Sequence, residues 1–406
     1  MKLYKSLLFL GVAAILAFSP IARGAVRLWS VTPVLLVAYA MIFLWLFKMV
    51  NSQGTKKNEI ASGASRPRND DASKTAPFLP ILLFAILAVI SFALSIYKHD
   101  SFYALLRLFA YIGLYCLVVN EFDHMMRKRL IQLVIWIGTG LSAYGLLQYF
   151  GIFGHSWWVP QRFLAATYVN HNHFAGYLEL VIPAALAITL RRKNKLFVMT
   201  ALVIMSAAFI LTQSRGAWIS LAVSLAIMAI MIVRKGRGGV KAALILTLVI
   251  LAAASLLYFT KDTVSSRIST VTDIKAGEDV SGGRFKIWQG AIGMIKERPL
   301  TGFGIGDFDA GFYRYRPEGF NMRAVYAHND YLHMASEMGI FAPFIMLWIF
   351  IAVIQKGFGK KDASPYAFGC AIGVLSLALH GMVDFNFHIP ANMLLFTVWI
   401  AVIMGE

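Results

Sequence analysis

Hydrophobic positions dominate this chain in long uninterrupted runs. Residues 241–259 and 341–354 hold no charged side chain between their ends, and similar runs recur from the first residues to the last. They show neither the two-residue alternation of a half-buried strand nor the single apolar stripe of a soluble helix. About 20 apolar residues carry a helix across the hydrocarbon core. Only helices and closed barrels leave no backbone group unpaired there, and barrel strands alternate. The pattern therefore predicts twelve helical spans, at 5–22, 29–47, 78–96, 102–119, 130–150, 170–190, 196–213, 216–233, 241–259, 331–355, 365–383 and 388–405. The expected fold class is an all-α integral membrane protein of about twelve transmembrane helices.

Composition agrees: of 406 residues, 59% are hydrophobic and 14% charged, against about 25% charged in soluble domains. The net charge of +18 is informative through its placement. If the N-terminus is cytoplasmic, the inner connections and adjoining span ends hold 22 Lys and Arg residues and the short outer ones 6. That asymmetry places both termini inside. The remaining ten lie in the long segment 260–330, whose translocation does not depend on charge. The excess of positive charge thus orients the chain, and no nucleic-acid partner is expected. The early run after Lys2 and Lys5 resembles a signal peptide, but Pro20, Arg23 and Arg27 crowd the place of a cleavage site, so it is read as a retained span. Cys116 and Cys370 both fall inside spans and imply no disulfide framework.

Two connections are long. Residues 48–77 are polar and poor in aromatics, and read as a disordered cytoplasmic linker within an N-terminal membrane region, 1–129. Residues 260–330 mix charges with aromatics and glycines and read as a partly helical outer loop between spans 9 and 10, within a second region, 130–406. There a helix is expected from Gly283 to Pro299, with Phe285, Trp288, Ala291, Ile292 and Ile295 on its apolar face. Thr301, Gly302, Phe303, Gly304, Ile305 and Gly306 follow as a tight turn, since no strand precedes them as a nucleotide loop requires. Chemically capable side chains gather on the outer side. Eight of nine histidines lie in outer connections or at outer helix ends, all but His124. The span interiors are nearly free of charge, with Glu179 the clearest exception, which argues against an ion-coupled transporter.

Four segments carry a resemblance. Tyr326, Ala327, His328, Asn329, Asp330, Tyr331 and Leu332, followed by Glu337 and Gly339, resemble the signature of the O-antigen ligase and polymerase superfamily. The runs Asn170–His171–Asn172–His173–Phe174–Ala175–Gly176–Tyr177, Ser214–Arg215–Gly216–Ala217–Trp218 and Gly282–Gly283–Arg284–Phe285–Lys286–Ile287–Trp288 agree with it, in order, over roughly 130–390. The resemblance implies a bacterial inner-membrane glycosyltransferase with its active site facing the periplasm and a fold similar to the class C glycosyltransferases. It implies an undecaprenyl-diphosphate-linked glycan as donor, inversion, and no metal or other cofactor. Ligases pass the glycan to lipid A-core; polymerases pass it to another lipid-linked repeat unit. The ligase is the expected reading, the polymerase its nearest rival, and a membrane transporter the rival from another class.

The residue chemistry fits. A pyrophosphate leaving group needs charge stabilisation, and the forked guanidinium suits it. Arg215 and Arg284 are the candidate donor ligands by motif match. A neutral imidazole can accept the proton of an attacking sugar hydroxyl, and His328 is the candidate base. His171, His173, Asn329, His333 and Glu337 are expected to support the site. Each assignment has a plainer rival. Arg215 could anchor a helix end at the headgroups, Arg284 could be a solvated loop charge, and His328 could cap the tenth span. His333 and Glu337, four apart, could begin a metal site, but two ligands are too few. Arg314, Arg316 and Arg323 are read as a general surface attraction for anionic sugars or membrane lipids.

Overall fold

The computed structural model describes residues 2–61, 78–155, 163–190, 196–234, 283–359 and 364–406. Among them all regular structure is helical: α1 Lys2–Ile21, α2 Leu28–Ala61, α3 Phe78–Ala93, α4 Lys98–Glu121, α5 His124–Tyr149, α6 His171–Thr189, α7 Leu196–Leu211, α8 Arg215–Arg234, α9 Arg284–Glu297, α10 Phe308–Tyr315, α11 Asp330–Met338, α12 Phe341–Gly359, α13 Pro365–His380 and α14 Pro390–Gly405. Among the described residues six segments are long and apolar enough to cross a membrane: Leu3–Ile21, Leu28–Asn51, Lys98–Glu121, His124–Tyr149, Arg215–Arg234 and Phe341–Gly359. Shorter apolar helices cover Leu79–Ala93, Leu196–Leu211, Pro365–His380 and Pro390–Gly405. The ninth expected span, 241–259, lies outside the described residues.

Short polar signals set the helix ends. Asp123, Asn170, Asn329 and Ser364 each accept a backbone N–H in the first turn that follows, and Pro365 and Pro390 open their helices where no donor is needed. The core is built around α6, whose residues 173–188 are all buried. It lies against α13, where glycines let the backbones close up: a Cβ at Gly373 would crowd the Leu180 carbonyl and one at Gly369 the Ala184 backbone. Trp399 Nε1 of α14 donates to the Leu180 carbonyl at 2.9 Å.

The connections sort to two ends, as an alternating path requires. At one end Lys48 pairs with Glu121 at 2.7 Å, His124 with Glu406 at 2.7 Å, and Arg127 donates to the carbonyls of Val119 and Gly405. At the other, Thr167 Oγ1 donates to Pro20 O at 2.7 Å, Leu164 N to Leu211 O at 3.1 Å, Ile96 N to Phe303 O at 3.0 Å and Asp330 N to Gly381 O at 2.7 Å.

Three expectations are corrected. Residues 48–61 of the expected linker continue α2 as helix; they contain no proline, and extending an established helix is easy compared with starting one. The tenth span is broken: α11 ends at Gly339 (φ 84°), and α12 starts afresh at Phe341. At Gly339 a Cβ would collide with the Leu300 carbonyl, and Ile340 N donates to Pro299 O at 2.8 Å, so the incoming loop wedges the two helices apart. Finally, α9 forms where expected, but Ile287, Gly290, Ala291 and Met294 are its buried face, while Phe285 and Ile292 are exposed. That face meets Phe303, Phe308 and Phe312 in a small second core, whose position the periodicity of α9 alone does not specify.

Candidate functional site

His328 sits in the turn before α11 with φ +49°, the left-handed region that costs a side chain about 1–2 kcal/mol. Neighbouring contacts hold it there. Asn329 caps α11, its Oδ1 accepting from Tyr331 N and Leu332 N at 3.0 Å, while its Nδ2 donates to Met382 O at 2.9 Å. Asp330 is fully buried; its N donates to Gly381 O, and its carboxylate meets His388 Nδ1 at 2.8 Å and Phe387 N at 3.3 Å. The cap is therefore Asn329, and the turn is pinned to the 381–388 connection, leaving His328 to project from it.

The ring of His328 packs edge-on against Phe385, centroids 4.7 Å apart, with one third of its side chain exposed. Its Nδ1 is buried, has no hydrogen-bond partner among the described residues, and stands 3.9 Å from Asp384 Oδ1. Burial lowers the His328 pKa from its ordinary value; Asp384 opposes this, and the charges of Arg284 and His333 reinforce it. Burial acts to raise the Asp384 carboxyl, but His380, His173, the Phe385 N–H and His328 hold it below the usual range. At neutral pH the arrangement is a neutral imidazole backed by a carboxylate.

Behind Asp384 lies a polar chain into the core. Asp384 Oδ2 is 3.8 Å from His380 Nε2, and His380 Nδ1 is 2.6 Å from Glu179 Oε2. Glu179 Oε1 accepts from Ser376 Oγ at 2.7 Å. Glu179, the charge that stands out within a span, is thus a fully buried partner bracing α6 on α13.

Other expected residues converge on the same place. His171 Nδ1 is 2.7 Å from Thr212 O, and Arg284 is near enough to act electrostatically on both His171 and His328. His173 is buried and packs edge-on against Phe385 at 4.8 Å, the ring that His328 also meets. Arg284 is half-buried at the first position of α9. Arg215 is exposed at the first position of α8, makes no hydrogen bond or ion pair among the described residues, and stands at the rim; its neighbour Gly216 packs on His380 and Val383.

His333 and Glu337 lie apart from the free side of His328. Their ring Nε2 and carboxylate are 3.0 Å apart and buried, as a hydrogen-bonded support pair. Glu337 also accepts from Phe308 N at 3.1 Å, so the pair locks α11 to the start of α10. The fold adds a third group that spacing does not reveal: ligand atoms of His333, Glu337 and His388 lie within 4.8 Å of one another, a set able to hold a metal ion. Hydrogen bonds already occupy most of these atoms: His333 Nδ1 accepts from Ala327 N at 3.3 Å, and His388 Nδ1 is taken by Asp330. Asp384, His380 and Asp330 are the groups sequence reasoning left unassigned; the polar residues Asp384 and Asn386 at a span end were the signal.

Residues 200–349 match the family model described as O-antigen ligase, an interval that holds Arg215, Arg284, His328, His333 and Glu337. No curated protein matches the chain.

Proposed function

The chain is a member of the O-antigen ligase and polymerase superfamily, and from that premise we propose that it transfers a glycan from undecaprenyl diphosphate to an acceptor hydroxyl. The observation that carries this is His328: strained, held neutral by burial, backed by Asp384, with the Arg284 charge beside it. In the step proposed, the acceptor oxygen attacks the anomeric carbon from the face opposite the phosphate. The C–O bond to phosphate breaks, its electron pair leaves with the pyrophosphate, and the hydroxyl proton passes to His328. Arg284 and Arg215 take up the negative charge that develops on the leaving group, where a fork of two donors serves better than a point charge. Inversion follows from single displacement, and no metal or cofactor takes part. The site faces the periplasm of a twelve-span inner-membrane protein, with lipid A-core as the ligase acceptor.

The polymerase reaction needs the same donor chemistry, and the paired cavities described below favour it as the second reading. Purified protein given undecaprenyl-diphosphate glycan and acceptor in detergent, with chelator and without nucleotide, should form product. Detergent leaves a transporter no compartments to connect, so absence of product under these conditions overturns the proposal. Abolition by chelator alone would give His333, Glu337 and His388 a metal. Supplying lipid A-core or a second lipid-linked unit as acceptor separates ligase from polymerase.

A further inference from the structure

One charge within the expected spans has no structural explanation. Arg107 lies nine residues into α4, about 13 Å along the helix from Lys98. It is half-buried and makes no hydrogen bond or ion pair among the described residues. A cation at membrane depth is costly and marks a binding or transport function when it is not paired. Arg107 faces a cavity of about 280 Å³, on the other side of Tyr326 and Phe385 from His328. Those two rings stack with centroids 4.3 Å apart and form the partition.

The other ionisable groups lining this chamber already have hydrogen-bond partners. Asp100 pairs with His99 at 2.9 Å, Asp309 with Arg323 at 2.8 Å, Glu337 with His333 at 3.0 Å, and His388 with Asp330 at 2.8 Å. Among the described residues that line it, Arg107 is the charged side chain without a hydrogen-bond or ion-pair partner. The chamber also continues into a narrow groove of about 70 Å³ between α3, α4, α12 and α14. The two share Phe84, Leu108, Tyr111, Met346 and Met393, and beyond these the groove is walled by Ile112, Ile349 and Ile400. A small apolar groove, with room for the first units of a hydrocarbon chain, thus opens beside a lone arginine into a space with carboxylates, imidazoles and a tyrosine, groups that accept sugar hydroxyls.

We propose that this groove and chamber bind a single-chain polyprenyl-phosphate glycan, with the chain in the groove, a phosphate on Arg107 and the first sugar in the chamber. The inference rests on the glycosyltransferase reading and deepens it. Arg107 lies on the Tyr326 side of this ring stack and His328 meets Phe385, so the lipid is a second substrate beside the donor. The small volume of the groove disfavours lipid A, which carries several acyl chains. Two single-chain lipid substrates are what polymerisation requires.

The test is direct binding of undecaprenyl phosphate to the full chain in detergent, read by native mass spectrometry, with a melting curve for each variant. Arg107→Gln should weaken binding about ten- to a hundred-fold, the worth of a hydrogen bond to a charged group. Arg107→Lys should keep most of it, and Arg284→Gln, which weakens the lipid held at the donor site, should leave the second, Arg107-dependent lipid in place. Met393→Trp, which narrows the junction of groove and chamber, should weaken binding with Arg107 intact. Unchanged affinity in both Arg107→Gln and Met393→Trp overturns the proposal. So does loss on Arg284→Gln alone, which leaves the reaction-centre reading standing. Equal competition by lipid A or by phosphatidylglycerol overturns the assigned occupant. Failure of wild-type glycan transfer, with Arg107-dependent binding intact, counts against the proposed reaction and not against this site.

Discussion

Asp384→Asn is the sharpest test of the reaction centre, because it keeps the shape and removes one charge. Asp384 Oδ1 stands 3.9 Å from His328 Nδ1. Two unit charges at that distance interact by about 4 kcal/mol at an effective dielectric of about 20, and by about 1 kcal/mol in water. At 1.36 kcal/mol per pKa unit, this spans about 0.7 to 3 units. One third of the His328 side chain is exposed, so screening favours the lower end, about one unit. The sign follows from the proton: a carboxylate favours imidazolium, so its removal moves the His328 pKa further below the ordinary value of about 6.5. A base works when deprotonated. The acid limb of the single-turnover rate should therefore lie below pH 6.5 in the wild type and about one unit lower in Asp384→Asn. The plateau should fall too, since a weaker and less well oriented base accepts the proton less readily. His328→Ala should lack this limb and lose about 10²- to 10⁴-fold in rate. If the Asp384→Asn profile superimposes on the wild type, the carboxylate does not act on the base and the assignment fails.

Three further outcomes follow from the same geometry. Arg284→Lys and Arg215→Lys should bind the donor more weakly while inserting normally, because ammonium cannot hold two phosphate oxygens in one plane; unchanged donor affinity in both would leave the pyrophosphate without its ligands. In a background lacking Cys116 and Cys370, a cysteine at Asn321 should react with a membrane-impermeant thiol reagent in intact spheroplasts, and one at Asn120 only after lysis; the reverse pattern would turn the chain over. Glu179→Ala strands His380 in the core and should cost about 3–5 kcal/mol, the usual penalty for breaking a buried pair, read as a lower melting temperature; an unaltered melt would mean that the pair does not brace α6 on α13.

Much of this protein is determined by sequence periodicity and charge alone. Apolar runs require helices, since lipid offers the backbone no other partner, and basic clusters mark one set of turns because they resist crossing. The polar outer motifs are legible for a similar reason: His328, Arg284 and His171 are conspicuous where the surrounding spans are nearly uncharged. Three-dimensional packing decides the rest. Periodicity locates α9 but not its buried face, which depends on where Phe303, Phe308 and Phe312 fold back. Local pattern continues the tenth span through Gly339; only the loop around Leu300 breaks it. Asp384 meets His328 because Asn329 and Asp330 tie their turn to residues 381–388, more than 50 positions away. Arg107 looks like one more residue near a span end until α3, α12 and α14 close around it and leave its charge unmatched. Such pairings join residues far apart in the chain, and no short window of sequence contains both partners.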